Sequence, residues 1–311
     1  MRRAWRLAWM NSQKIDLVSW VLLIVLTIIW GFSYYFIKHS LVSFNPTQIS
    51  VLRMVFSAVA LLPFLPMALK KIPFSKYNFI FICGLIGSFL PAFLYPFAQQ
   101  QISSSVAGII NAFTPICTYG IGILFYNVPK EKSKILGSII AFLGAVALII
   151  FKPNATLKAD FFYLLVAFVV PFLYGFNGNT LKTNLKDVSG LHVTVLMYLF
   201  MAILCIPIGI YSNSFSQIPI AMKEGNALYH LMALSVLGSA LAMALFNILV
   251  QRVHILFAAS VTFLMPIVSV IVGVYDGETI RWNDLLGLFF ILVGVLLINN
   301  LIGKKKAIKQ E

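Results

Sequence analysis

Acidic side chains are scarce in this chain: nine Asp and Glu stand against 23 Lys and Arg in 311 residues. Charged residues of both signs reach only 10%, where a soluble domain carries about 25%. That excludes an ordinary soluble enzyme and a disordered chain. No Asp or Glu lies deep inside an apolar run. The paired acids of general acid–base chemistry are therefore missing, and so are the intramembrane carboxylates that usually carry protons in coupled transporters. Cysteine is confined to Cys83, Cys117 and Cys205, each within an apolar run. An odd number placed there gives neither a disulfide framework nor a metal spacing. His39, His192, His230 and His254 all fall near the ends of apolar runs and form no cluster. No cofactor or metal is expected. What remains is apolar: 60% of residues are hydrophobic, and the mean hydropathy is +0.95.

A transmembrane helix uses about 20 apolar residues, and hydropathy marks ten such spans. They are 17–37, 48–68, 77–97, 106–126, 135–151, 161–181, 191–211, 228–250, 256–274 and 282–302. The links are too short to hold a soluble domain. The first span does not read as a cleaved signal peptide, because it is too long, lacks a small-residue cleavage site and has a counterpart later in the chain. With the N-terminus in the cytoplasm, the inner side collects Arg2, Arg3, Arg6, Lys14, Lys70, Lys71, Lys76, Lys130, Lys132, Lys134, Lys182, Lys186, Arg252 and the Lys304–Lys306 run with Lys309. The outer side keeps only Lys38, Lys152, Lys158, Lys223 and Arg281, balanced by Asp160, Glu224, Asp276, Glu278 and Asp284. The net charge of +14 and pI of 9.7 thus report topology and contact with anionic lipid, and no nucleic-acid partner is expected. An even number of spans also places the Lys-rich tail in the cytoplasm.

The chain is written twice. Trp30 to Lys38 (WGFSYYFIK) lies over Tyr174 to Lys182 (YGFNGNTLK) at an offset of 144. Val51 to Ala58 lies over Val195 to Ala202, and Pro63 over Pro207, at the same offset. Gly87 and Ser88 meet Gly238 and Ser239, and Pro115 meets Pro266, at an offset of 151; Gly137 and Gly144 meet Gly287 and Gly294 at 150. Each half has five spans, and an odd number inverts the second half relative to the first. The expected fold is an all-α polytopic membrane protein of ten transmembrane helices. It comprises two inverted-topology five-helix repeats, residues 1–151 and 152–311, forming one membrane domain with both termini cytoplasmic. Folds of this kind are mostly transporters, with solute sites near the midplane between the halves.

These residues resemble the EamA-domain branch of the drug/metabolite transporter superfamily. The resemblance covers nearly the whole chain and rests on Trp30-Gly31, Arg53, Pro115, Pro266, Gly277-Glu278 and the glycine pairs 137/144 and 287/294. One departure is visible: Asn127-Val128 stands where a Gly-Glu turn is expected after the fourth span. The resemblance implies a central cavity between spans 1, 3, 4 and 6, 8, 9, with spans 5 and 10 peripheral. It also implies amino acids, metabolites or drugs as solutes, often exported.

Spans four and nine share a stripe. Gly108, Asn111, Pro115, Thr118 and Gly122 match Ala259, Thr262, Pro266, Ser269 and Gly273, with spacings of 3, 4, 3 and 4 that keep to one helical face. Small and polar residues at mid-span either line a cavity or let helices pack closely. Asn111 is the leading solute contact, because an amide offers donors and an acceptor. Pro115 and Pro266 each free a carbonyl and are candidate hinges. Spans one and six supply Trp30, Tyr34 and Asn177, aromatic and amide groups suited to a solute with an apolar body and a polar end. The aromatics equally suit a membrane interface. Tyr95 and Ser88 in span three, and Asn247 and Ser239 in span eight, are further candidates. Gln99 to Gln101 are expected at the outer mouth and Gln251 at the inner one.

Arg53 is the one charge clearly within a span, and a central Arg costs about 2.5–3.5 kcal/mol to insert. Its repeat mate is Met197. Two readings stand: snorkelling or a structural pair with Asp276 or Glu278, or direct binding of a solute carboxylate. The glycine pairs of spans five and ten read as helix-packing surfaces, within one chain or in a homodimer. The sequon at Asn154 would be unused in a bacterium.

The function expected is secondary transport of small organic solutes by alternating access, in the direction of export, following the solute's own gradient. A nucleotide-sugar or lipid-linked-sugar translocator is the alternative within carriers, made less attractive by the few cations available to a cavity. An intramembrane enzyme lacks a catalytic constellation, and a channel lacks a filter motif or charged ring. The compact links fit a multi-pass protein of a bacterial inner membrane.

Overall fold

The computed structural model describes residues 15–102, 104–150, 161–275 and 282–298. Among these there is no strand. Helix α1 is Leu17–Ser40, α2 Pro46–Lys71 and α3 Phe74–Ala98. Then follow α4 Ser104–Asn111, α5 Thr114–Phe125 and α6 Lys132–Ile150. The second half has α7 Phe161–Asn184, α8 Gly190–Tyr211, a short α9 Gln217–Glu224, α10 Ala227–Arg252, α11 Ile255–Ala259, α12 Val261–Tyr275 and α13 Trp282–Ile298. Six of them, α1, α2, α3, α7, α8 and α10, are long and apolar enough to cross a membrane by length and composition. Rows of exposed Leu, Ile, Val and Phe on these helices, such as Val21, Ile24 and Ile28 on α1, suit contact with lipid.

Local chemistry sets the helix starts. Asp16 caps α1, its carboxylate accepting from Ser19 N at 2.9 Å and Ser19 Oγ at 2.6 Å. Those hydrogen bonds, assisted by Arg252, hold its pKa down at about 2. Asn45 and Gln48 form a reciprocal capping box at α2, with Pro46 in the first turn.

Two of the spans expected as single helices are broken. Between α4 and α5 the break is at Ala112–Phe113, just ahead of Pro115, which cannot donate a backbone hydrogen bond to the preceding turn. Between α11 and α12 the break is at Ser260, and Pro266 lies inside α12. There the hydroxyls intervene: Ser260 Oγ donates to Phe257 O at 2.6 Å and Thr262 Oγ1 to Ala259 O at 2.8 Å. The break in that segment thus coincides with Ser260, six residues ahead of Pro266.

The halves interleave. α1 of the first half packs on α10 and α12 of the second, while α7 packs on α3 and α5 of the first. α2 lies along α8, and α6 along α13 within the same chain. α3 and α10 each contain a π-helical turn, at Leu85–Phe89 and Val236–Leu241. The turns contain the repeat-related pairs Gly87-Ser88 and Gly238-Ser239. Each glycine receives a side chain from the opposite half. A side chain on Gly87 would overlap Asn177, and the Cβ of a residue at 238 would stand 2.9 Å from Ser33 Oγ. Ser33 and Asn177 are themselves repeat mates.

Candidate solute cavity

Where the halves meet, the helices leave a cavity of about 80 Å³. Its wall comes from α1, α3, α4, α5, α7, α10, α11 and α12, with Arg53 and Met54 from α2 and Tyr198 from α8. Trp30, Tyr34, Arg53, Tyr95, Asn111, Thr118, Asn177 and Thr262 all stand in this wall. Helical periodicity brings the polar stripe of α4–α5 and that of α11–α12 to the same space, though the residues are about 150 apart in sequence.

Several polar groups are already engaged. Trp30 Nε1 donates to Gly238 O at 2.9 Å, because the π turn presents that carbonyl, and the Trp30 ring lies 5.1 Å from Phe246. Asn111 Oδ1 accepts from Thr114 Oγ1 at 3.2 Å, and its amide meets Met265 Sδ of the other half at 3.5 Å. Tyr34 and Tyr95 meet edge to face with centroids 5.8 Å apart. Other groups are less well engaged: among the described residues the buried atoms Ser88 Oγ, Tyr95 Oη and Asn177 Oδ1 make no hydrogen bond of ordinary length. A buried polar atom left in that state costs about 1–3 kcal/mol. The three share one cavity, where a bound polar group would satisfy them.

Two expected residues stand apart. Asn247 is fully buried outside the cavity wall. Its Nδ2 donates to Thr194 Oγ1 at 2.8 Å and approaches Met197 Sδ at 3.6 Å, so it ties α10 to α8. Gln251 donates to Leu185 O at 3.1 Å and Val188 O at 2.6 Å, tying α10 to the α7–α8 connection. The side chain of Ser269 lies outside the described residues, as do Asp276 and Glu278.

Met54 and Tyr198 were missed in the sequence. They occupy one repeat position, 144 apart, so the register found around Arg53 could have paired them. Met243, Phe246, Ile255 and Met265 also line the cavity. No sequence signal separates them from apolar residues that pack in the core.

The chain was compared with known proteins. Residues 18–150 and 161–300 each match the EamA-like transporter family. A protein named "probable terminal-alkyne amino-acid exporter" from Streptantibioticus cattleyicolor is 23% identical over 92% of this chain and 95% of its own length. The "uncharacterized inner membrane transporter YedA" of Escherichia coli K12 is 22% identical, covering 89% of each chain. An "uncharacterized transporter" of Archaeoglobus fulgidus is 25% identical over 55% of this chain; that match spans 61% of the archaeal protein. Among solved structures, one crystal structure 13% identical in sequence superposes with a TM-score of 0.67, over 91% of this chain and 96% of that one. At that identity the likeness establishes the fold alone.

Proposed function

Because the chain belongs to the EamA-like transporter family, we propose that it is a secondary transporter exporting small organic solutes by alternating access through the central cavity. The carrying observation is the set of unpartnered polar atoms, Ser88 Oγ, Tyr95 Oη and Asn177 Oδ1, held in a cavity at the junction of the two halves. A cavity built only for packing would close over apolar groups, since unsatisfied polar atoms oppose burial. In this reading the chain crosses a bacterial inner membrane ten times, in two inverted five-helix repeats with both termini in the cytoplasm. The two broken helices and the two π turns let each half rearrange about the site. Pro115 keeps α5 from joining α4 as one helix, and in the second half the break falls at Ser260, six residues ahead of Pro266.

The relative named for amino-acid export puts amino acids and metabolites of similar size first among solutes to test. The cavity is smaller than the ~150 Å³ that admits benzene, so occupancy requires its walls to yield. Met54, Met243 and Met265 are suited to that, being flexible and readily repacked. A nucleotide sugar fits less well: its diphosphate would meet one cation, Arg53, among the described residues of the wall.

The test is to profile, by untargeted mass spectrometry, the medium of cells overexpressing the wild type or Asn111→Leu at equal membrane abundance. The wild type should release a solute class that the variant releases at least tenfold less. Equal release by both would remove Asn111 from the site, and no change with the wild type would count against export.

A further inference from the structure

We infer that the solute carries a carboxylate, bound end-on by the terminal amino groups of Arg53; this rests on the transporter reading above and names the substrate class for the same cavity. Among the described residues that line it, Arg53 is the only charged one. No carboxylate pairs with it among the described residues. The guanidinium is aimed by the opposite half. Arg53 Nε donates to Ser239 Oγ in the second π turn. Ser239 Oγ in turn donates to Leu234 O at 3.1 Å, the five-residue reach that the π turn creates. One turn further along α2, Ser57 Oγ bonds to Arg53 O at 2.6 Å and to Ser235 O at 2.8 Å, which fixes α2 against α10.

With Nε occupied, the free edge of the fork is its pair of terminal NH₂ groups. Two parallel donors on a planar cation match the two oxygens of a carboxylate. A cation inside a membrane protein is costly unless paired, and since no described carboxylate pairs with Arg53 a solute carboxylate would supply the counter-charge. A phosphate dianion would leave one charge uncompensated, and a carboxylate leaves none. The repeat sharpens the point. The mate of Arg53 is Met197, so at this position one half supplies a cation and the other does not, which gives the solute a defined anionic end. Asn177 Oδ1 offers an unpartnered acceptor in the same cavity, suited to an N–H or O–H on the solute. Phe246 and Ile255 supply apolar wall for the solute's body.

The experiment is counterflow exchange in liposomes containing the purified full-length protein. The probes are L-alanine, L-leucine and L-phenylalanine, the primary amide of each, and the matched acids propionate, 4-methylpentanoate and 3-phenylpropanoate. At least one free carboxylate should exchange tenfold or more faster than its amide. Arg53→Gln should abolish that preference, and Arg53→Lys should restore part of it through charge alone. Should Arg53→Gln fail to fold, Ser239→Ala keeps the cation but removes its aim, and is expected to lower the acid-to-amide ratio several-fold. Equal exchange of acids and amides by the wild type would overturn the carboxylate assignment and leave the transporter reading standing. Exchange of no acid in the series would also overturn it. The transporter reading would then be judged separately, by whether amides exchange and by the medium profile. Retention of the acid preference in folded Arg53→Gln would remove Arg53 from the site.

Discussion

His254 lies in the short connection between α10 and α11, and burial, reinforced by the charges of Lys134 and Lys182, brings its pKa down to about 4. The unfolded chain takes up that proton near pH 6.5. Stability from the neutral ring is therefore complete above pH 6.5 and is lost as the pH falls from 6.5 to 4. The melting temperature in detergent should fall by about 2–4 °C for each kcal/mol lost in that window. His254→Asn, which places a residue suited to the N-cap of α11 there, should flatten the decline; an unchanged pH profile in the variant would show that His254 does not cause it. At this scale much was legible. Asn111, Trp30, Asn177 and Arg53 could be picked out because polar groups at mid-span are rare, and all four stand at the cavity. Asn247 was equally polar and equally central, yet its amide is turned to Thr194. Composition marks a polar side chain but does not say which neighbour takes up its hydrogen bonds.

Helices approach one another where side chains are small, and among the described glycines Gly190 marks the tightest such approach to a backbone. A Cβ there would stand 2.6 Å from Ile248 N and 2.8 Å from Asn247 C of α10. Gly120 on α5 has nothing within 4 Å of the same hypothetical atom. Gly190→Ala should destabilise the protein by about 1–3 kcal/mol. Gly120→Ala should be neutral or stabilise it by up to about 1 kcal/mol through helix propensity. Thermal melts of the two variants in one detergent check the contrast, and equal melting points would refute the close approach of α8 to α10. Capping by Asp16 and by Asn45 with Gln48 was local and readable from the residues concerned. The break at Ser260 was not: serine is common in helices, and only the sharing of Ser260 N–H between Leu256 O and Phe257 O, with its hydroxyl also on Phe257 O, marks the end of α11. The π turns were foreshadowed by the two Gly-Ser pairs, but their five-residue hydrogen bonding depends on packing against the opposite half.

For the whole molecule, the distribution of charge predicts an orientation. Single cysteines introduced by Lys38→Cys or Lys223→Cys, in a chain with Cys83, Cys117 and Cys205 replaced by alanine, should react with an impermeant maleimide added to intact cells. Lys70→Cys and Lys130→Cys should react only after the membrane is opened. Labelling at position 70 or 130 from outside would invert the topology. The ends of the bundle already differ in chemistry. On the proposed inner side Lys76 pairs with Asp187 at 3.0 Å and Arg252 with Asp16 at 2.9 Å. Lys182 Nζ donates to Val250 O at 2.9 Å and Val253 O at 2.7 Å. The two ion pairs are partly exposed and contribute little energy singly, but they join α3 to the α7–α8 connection and α1 to α10.

Apolar content, the duplicated pattern and the asymmetry of Lys and Arg were readable without coordinates, because each follows from a requirement local to the chain. Lipid demands apolar helices, duplication leaves a register, and topology follows the positive residues of short loops. The tertiary structure decided how the halves exchange helices, so that Trp30 reaches Gly238 and Arg53 reaches Ser239. It also decided that Tyr198 and Met265 share a wall with Asn111. Those contacts depend on how helices far apart in the sequence pack together. Packing is a property of complementary surfaces, and a surface exists only once the chain has folded.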